Sequence, residues 1–269
     1  MEDFKKFLFI KKGLQSITVN GYIGGIRRLE KAIDKKPNNS EIEDYIYNIY
    51  NSDYSYSHKT NTALAIEHYT EFLNRPLKLG RQKKPRTIIK DTLTEAEITK
   101  MIFCCKNLKE KAIVSLLAYS GIRNKELCDL KVKDFDGNSN KIKILQGKGL
   151  KDGISQISHS CSKVLQEYIQ ENNLTDEDFL FYTYQGNQYT SWALRKRIKV
   201  ISVRAKIKKR VYPHLFRHSL SVNMLIRGAD IISLKNQLRH SLLDTTLHYL
   251  NSIILGERNN YEKYQPSYL

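Results

Sequence analysis

Between residues 123 and 249 the chain spaces a set of side chains suited to chemistry on a phosphodiester. His214 and Arg217 stand three apart, so on a helix they share one face and can grip one anion together. His240 begins a second cluster at a loop-to-helix junction, where Ser241-x-x-Asp244 is a capping pair that places helical N–H groups nearby. Tyr249 follows two turns into that helix, a phenol able to attack a phosphate that the cations hold. One histidine on an amphipathic helix is ordinarily packing, and one tyrosine among seventeen ordinarily is too. The order and spacing of the whole set carry the functional reading.

The elements that must position this set can be read from periodicity and caps. A helix with Ala112, Ile113, Leu116 and Leu117 inward ends at Ser120-Gly121, and Arg123 emerges just past that glycine. Glu126 can fix the Arg123 guanidinium through a charge-assisted pair, a surface salt bridge being the plain alternative. Lys141–Gln146 and Gly153–Ser158 alternate in polarity around Gly147-Lys148-Gly149-Leu-Lys151-Asp, which predicts a β-hairpin with a lysine at its tip. Lys148 is that lysine, with Lys151 the alternative if the register shifts. Residues 162–171 read as a helix, Phe179-Leu-Phe181 as a short strand, and a basic helix starts at Trp192.

Upstream, Tyr22, Ile26, Leu29 and Ile33 keep helical spacing until Pro37-Asn-Asn. Ser40-x-x-Glu43 predicts a capping box before a helix with Tyr45, Ile46, Ile49 and Tyr50 inward. A polar turn over 51–57 and a third helix from about Thr60, carrying Ala65, Tyr69 and Phe72, complete an all-helical domain over 1–74. Residues 75–91, with Pro76, Gly80 and Pro85, read as a basic linker, and 92–269 as a second domain opened by the Thr94-x-x-Glu97 capping box.

The net charge of +17 is concentrated. Residues 1–74 balance ten acidic against ten basic side chains, whereas 75–90 hold seven basic residues and no acid. Nine further basic residues fall within 195–210. Charge placed this way marks a polyanion-binding surface, with Lys83, Lys84, Arg86, Arg195, Arg197 and Lys199 as the DNA-contacting candidates. Neither stretch has the apolar face of an interfacial helix, so nucleic acid is favoured over membrane. No apolar run nears the ~20 residues of a membrane span and no signal-peptide pattern opens the chain, which predicts a cytoplasmic protein. Cys104, Cys105, Cys128 and Cys161 form no CxxC pair, so reduced, mostly buried thiols are expected and no structural zinc.

Gly121-x-Arg123-x-x-Glu126-Leu127, Gly147-Lys148-Gly149, His214-x-x-Arg217-His218-Ser219 and Leu238-x-His240-Ser241-x-x-x-Thr245-Thr246-x-x-Tyr249 resemble, in order and separation, the signatures of the tyrosine recombinases. The layout is similar to compact Xer-type members, with no room for the added arm-binding domain of lambda-type integrases. The resemblance implies a mainly α fold with a small β-sheet: a helical N-terminal core-binding domain and an α+β catalytic domain, closed as a C-shaped clamp on DNA. It implies that Tyr249 is the nucleophile that forms a 3′-phosphotyrosyl link, and that Arg123 and Arg217 hold the non-bridging oxygens. Lys148 would protonate the leaving 5′-oxygen, His214 and His240 would bind the phosphate and assist the tyrosine's proton, and Glu126 would orient Arg123. Neither ATP nor metal is required, because the protein–DNA bond conserves the energy of the broken one. The partners implied are double-stranded DNA carrying a specific recombination site, and copies of the chain itself. These form a homotetramer in the synapse and a monomer or dimer off DNA, with the 253–269 tail docking on a neighbour.

One position departs from the pattern. The family has glycine before its second histidine, and this chain has Arg239. Its side chain is expected to point to solvent, contact with the DNA backbone being the alternative. His218 and His248 flank active residues and are expected either to pack or to support those residues from behind. A type IB topoisomerase-like enzyme and a catalytically silent DNA-binding accessory protein are the competing readings. The first would relax any duplex as a monomer, and the second has no use for six catalytic-type side chains together.

Overall fold

The computed structural model describes residues 1–33, 37–83, 91–145, 152–183 and 185–239. The chain forms two compact units, Met1–Ile88 and Ile89–Leu269.

In the first unit, α1 (Glu2–Ile10), α2 (Ser16–Ala32), α3 (Asn39–Asn51) and α4 (Tyr56–Phe72) enclose one core. Phe4, Leu8, Ile26, Leu29, Ile42 and Ile66 are fully buried in it, each contributing roughly 1.5–3 kcal/mol of transfer free energy. The α1 helix was not expected from sequence, yet its Phe4 and Leu8 seal the core, with Phe4 edge-on to Tyr69 at 5.1 Å. Two boundaries are corrected. The capping box before α3 is Asn38–Glu41, not Ser40–Glu43: Asn38 Oδ1 accepts the Glu41 N–H at 2.9 Å and Glu41 accepts that of Asn38 at 2.7 Å. Asn38 caps as well as serine does and directly follows Pro37, which holds the entering chain out of the helix. Likewise α4 begins at Tyr56, four residues before Thr60, because Ser55 caps it by accepting from the His58 N–H. The polar turn is correspondingly shorter. Residues 75–83 lie along this unit: Leu77 and Leu79 pack on its core, and Arg81 pairs with Glu67 at 2.5 Å.

The second unit holds α5 (Glu95–Phe103), α6 (Leu108–Ser120), α7 (Asn124–Asp129), β1 (Phe135–Asp136), β2 (Lys141–Ile144), β3 (Gly153–Gln156), α8 (His159–Glu171), α9 (Ser191–Arg204), α10 (Pro213–Ile226) and α11 (Ile231–Leu238). The predicted Thr94–Glu97 capping box opens α5. The hairpin strands pair antiparallel with Ile142 opposite Ser155 and Ile144 opposite Gly153, and β1 adds a third strand at β2's free edge. Phe179–Phe181 is corrected from a strand to a single bridge between Phe179 and Lys131, since the buried Leu180 and Phe181 fill the core rather than extend a ladder. At the centre runs α6, whose Ala112 to Leu117 are all buried. It is packed by α8 on one side and by α10 on another.

Candidate active site

The described part of the site is built around the end of α6. Gly121 takes the left-handed conformation (φ +61°) that stops the helix. A Cβ there would lie 2.8 Å from Leu238 and 3.1 Å from Leu220, so the position needs glycine for space as well as for backbone freedom. Ile122 is buried next to it, which turns Arg123 out at the start of α7. The Glu126 carboxylate accepts the Arg123 backbone N–H at 2.8 Å through one oxygen and Nη1 at 2.5 Å through the other, as the three-residue spacing predicted. Among the described residues the Arg123 guanidinium donates to Glu126 alone, and the side chain keeps about a quarter of its surface exposed.

Arg217 reaches the same place from the second turn of α10. It is 1% exposed, the largest fully buried side chain among the described residues. Nη1 donates to the carbonyl of Gly121, and Nη2 to that of Leu238 at 2.5 Å. The guanidinium is thereby fixed by two backbone carbonyls. His214, one turn earlier on α10, is exposed, so the shared face slopes from the interior at Arg217 to the surface at His214. His218 is buried, as expected for packing. Ser219 anchors α10 by accepting the Leu93 N–H at 2.7 Å.

Arg239 is a correction. The side chain does not point to solvent: it turns inward, 11% exposed, and places Nη2 2.8 Å from Glu126 Oε2. Its backbone is left-handed (φ 55°, ψ 46°) at the end of α11, the conformation a helix-terminating glycine ordinarily supplies. Sequence gave no route to this contact, since Glu126 lies 113 residues away. Burial alone would raise the Glu126 carboxyl. The Arg123 N–H and the two guanidinium groups outweigh it and hold the group below the usual carboxylate range. Arg239 is shifted down, first by burial and then by Arg123, against the pull of Glu126.

On the basic helix α9, Arg195 and Lys199 are exposed, whereas Arg197 turns toward buried Glu110, 3.3 Å away. Arg204 joins the same carboxylate at 2.6 Å. The helix is tied to the site by the Asn124 side-chain amide, which donates to the Ser191 carbonyl at 3.2 Å. Trp192, 68% exposed, carries Lys196 over its ring at 5.1 Å. Lys83 is exposed on the first unit. Lys84, Arg86, Lys148, Lys151, His240, Ser241, Asp244 and Tyr249 lie outside the described residues. Among the described residues, no helix is long and apolar enough to cross a membrane.

The second unit thus sets a three-stranded antiparallel sheet among helices, with Arg217 buried against the end of α6 and Arg123 emerging just past it. The model of the phage integrase family matches residues 91–253, and the chain belongs to that family. A tyrosine recombinase of Pseudothermotoga lettingae is 30% identical over 94% of this chain and 93% of its own length. The tyrosine recombinase XerD of Oceanobacillus iheyensis is 27% identical over 99% and 98%. Among solved structures, the XerA recombinase covers 98% of this chain and 97% of its own at 26% identity, with a TM-score of 0.59. The Tn1549 transposon integrase bound to transposon right-end DNA shares the fold, with a TM-score of 0.70 at 17% identity over 98% of both chains. Family and relatives make this chain a tyrosine-type DNA recombinase rather than a topoisomerase or a silent accessory protein.

Proposed function

We propose that the chain exchanges DNA strands at a defined recombination site, with Tyr249 as nucleophile and the arginines gathered at Gly121 as the phosphate clamp. The observation that supports this most is that convergence. Arg217 is held by the Gly121 and Leu238 carbonyls, while Arg123 emerges two residues past the same glycine, oriented by Glu126. Two guanidinium groups fixed in place suit the non-bridging oxygens as negative charge grows on them in the transition state.

In the step itself, the Tyr249 oxygen bonds to phosphorus as the bond to the 5′-oxygen breaks. The tyrosine's proton leaves with the help of His214 and His240. Lys148 gives a proton to the departing 5′-oxygen, which is otherwise a far stronger base than a phenolate. A 5′-hydroxyl from a second duplex then reverses the displacement. Two rounds among four copies of the chain recombine two sites.

Sequence readout requires base contacts in addition to phosphate contacts. A shallow cleft on the first unit is lined by Asn20, Arg28, His58 and Asn61, side chains of the types that can hydrogen-bond base edges. Arg195 and Lys199 on α9 and Lys83 on the first unit, with Lys84 and Arg86 next to it in sequence, would supply charge for the DNA backbone.

The test begins by footprinting the protein on DNA flanking its own gene, then placing that sequence in a nicked duplex that traps the covalent intermediate. The wild-type protein should accumulate a protein–DNA adduct without ATP, and Tyr249→Phe should bind equally and form none. An adduct that persists in Tyr249→Phe would remove the tyrosine from the mechanism.

A further inference from the structure

The tripeptide Gln237-Leu238-Arg239 ends α11 immediately before His240, and each residue grips a different part of the site. The Gln237 amide donates to the Gln156 carbonyl at 2.8 Å and to Ser155 Oγ at 3.1 Å, and accepts the Gln156 N–H at 3.1 Å, clasping β3. Leu238 presents its carbonyl to Arg217 and its side chain to Gly121. Arg239 shares the Glu126 carboxylate with Arg123.

We propose that Arg239 is a positioning residue for strand cleavage: through Glu126 it fixes the Arg123 guanidinium, and through its stem it fixes the first residue of β3. The proposal rests on the reading above, in which Arg123 and Arg217 clamp the scissile phosphate.

Three independent features support it. Arg239 sits in a backbone conformation that glycine adopts freely and arginine does not. The ion pair to a buried carboxylate compensates for that conformation. Next, Gly153 opens β3 directly against the arginine stem: a Cβ at 153 would lie 2.5 Å from Arg239 Cδ and 3.0 Å from Cγ. With the guanidinium held at Glu126, the stem has little room to move aside, so the strand's start and the arginine are fitted to one another. The third feature is charge. A carboxylate paired with one arginine orients it but cancels its charge. Glu126 is divided between two arginines, so a net positive charge stays beside the phosphate site while Arg123 is still oriented. Arg239 directs its head at Glu126 rather than outward, which separates this role from a DNA-backbone contact.

The experiment uses the full chain and the nicked duplex defined above, with three readouts: single-turnover adduct rate, half-saturating DNA concentration and thermal midpoint. Arg239→Gly should lower the rate roughly 10- to 100-fold, the scale of a slightly misplaced catalytic group, with half-saturation unchanged within about twofold. Arg239→Lys, which can still reach Glu126 with one charged donor, should recover part of the rate. Gly153→Ala should slow the wild-type protein and add nothing to Arg239→Gly, because the side chain it collides with is gone. A full rate in Arg239→Gly overturns the proposal. So does a loss confined to DNA affinity, or a Gly153→Ala penalty of equal size in both backgrounds. Should Arg239→Gly fail to fold, the Arg239→Lys rate and the Gly153→Ala rate decide the matter. Absence of any adduct from the wild-type protein would instead sink the cleavage reading itself.

Discussion

Two carboxylates in the second unit each bind two arginines, and they do different work. Glu110, on α6, takes Arg197 at 3.3 Å and Arg204 at 2.6 Å from α9, and also accepts the Lys106 N–H at 2.9 Å. Arg204 has a further acceptor in the Cys104 carbonyl at 2.8 Å. Glu126, at the start of α7, takes Arg123 and Arg239. Both carboxyls are buried and both are held below the ordinary carboxylate range, burial being outweighed by N–H and guanidinium partners. The difference lies in what the arginines connect. Around Glu110 both come from α9 and fasten that helix to α6. Arg123, as exposed as they are, bridges no two helices and emerges at the end of α6 that also holds Arg217. Identical chemistry thus fastens two helices in one place and, on the proposed reading, aims a guanidinium at an anion in the other.

The sharpest way to break this comparison is to remove one arginine from the Glu126 group. Arg123→Ala should slow adduct formation by about 10²–10³-fold, the worth of one preorganised charge donor. Glu126 keeps Arg239, so the urea midpoint should barely move. Glu110→Gln should do the reverse. It strands two arginine heads over a buried site and should cost about 3 kcal/mol of unfolding free energy, read from urea titration, while the cleavage rate per folded molecule holds. If Glu110→Gln slowed cleavage of the folded fraction as much as Arg123→Ala does, the division of labour would be wrong.

Acid offers a subtler separation. Glu110 and Glu126 have folded-state pKa values below their unfolded ones, so each contributes stability that is complete above the usual carboxylate pKa. That contribution is lost as pH falls through the folded value. The wild-type urea midpoint should therefore drop below about pH 4.5, and Glu110→Gln should show a shallower descent because one of the contributing titrations is gone. Parallel curves would assign the acid sensitivity elsewhere. The smallest effect compares neighbours on α9. Arg195→Ala or Lys199→Ala should each reduce the slope of log affinity against log salt by about 0.9. Arg197→Ala should leave most of that slope intact and lower the thermal midpoint instead.

How much of this was legible in the sequence follows distance along the chain. Gly121, Arg123 and Glu126 lie within six residues, and their local rule (helix stop, exit, reciprocal bond) produced the geometry observed. The hairpin, the Thr94 cap and the buried face of α6 obey equally local rules. Arg197 and Glu110 are 87 residues apart, Arg239 and Glu126 are 113 apart, and no periodicity announces such pairs. The α3 and α4 starts slipped for a different reason: Asn38 and Ser40, or Ser55 and a later residue, are near-equal caps, and packing of Ile42 and Thr62 chooses between them. A two-residue strand such as β1 has too little pattern to detect at all.

The bond from the Leu93 N–H to Ser219 has a consequence for when the second unit can complete itself during synthesis. It spans 126 residues, and Lys209 to the Thr92 carbonyl and Gln237 to the Ser120 carbonyl each span 117. The opening of the second unit therefore gains its partners only after most of that unit has left the ribosome. The first unit closes its core within its own residues and can fold long before that. A nascent chain thus carries a folded first unit well before its second is complete. The arginine cluster at the end of α6 can form only once residue 239 has emerged, when Arg217, Leu238 and Arg239 meet Gly121 and Glu126.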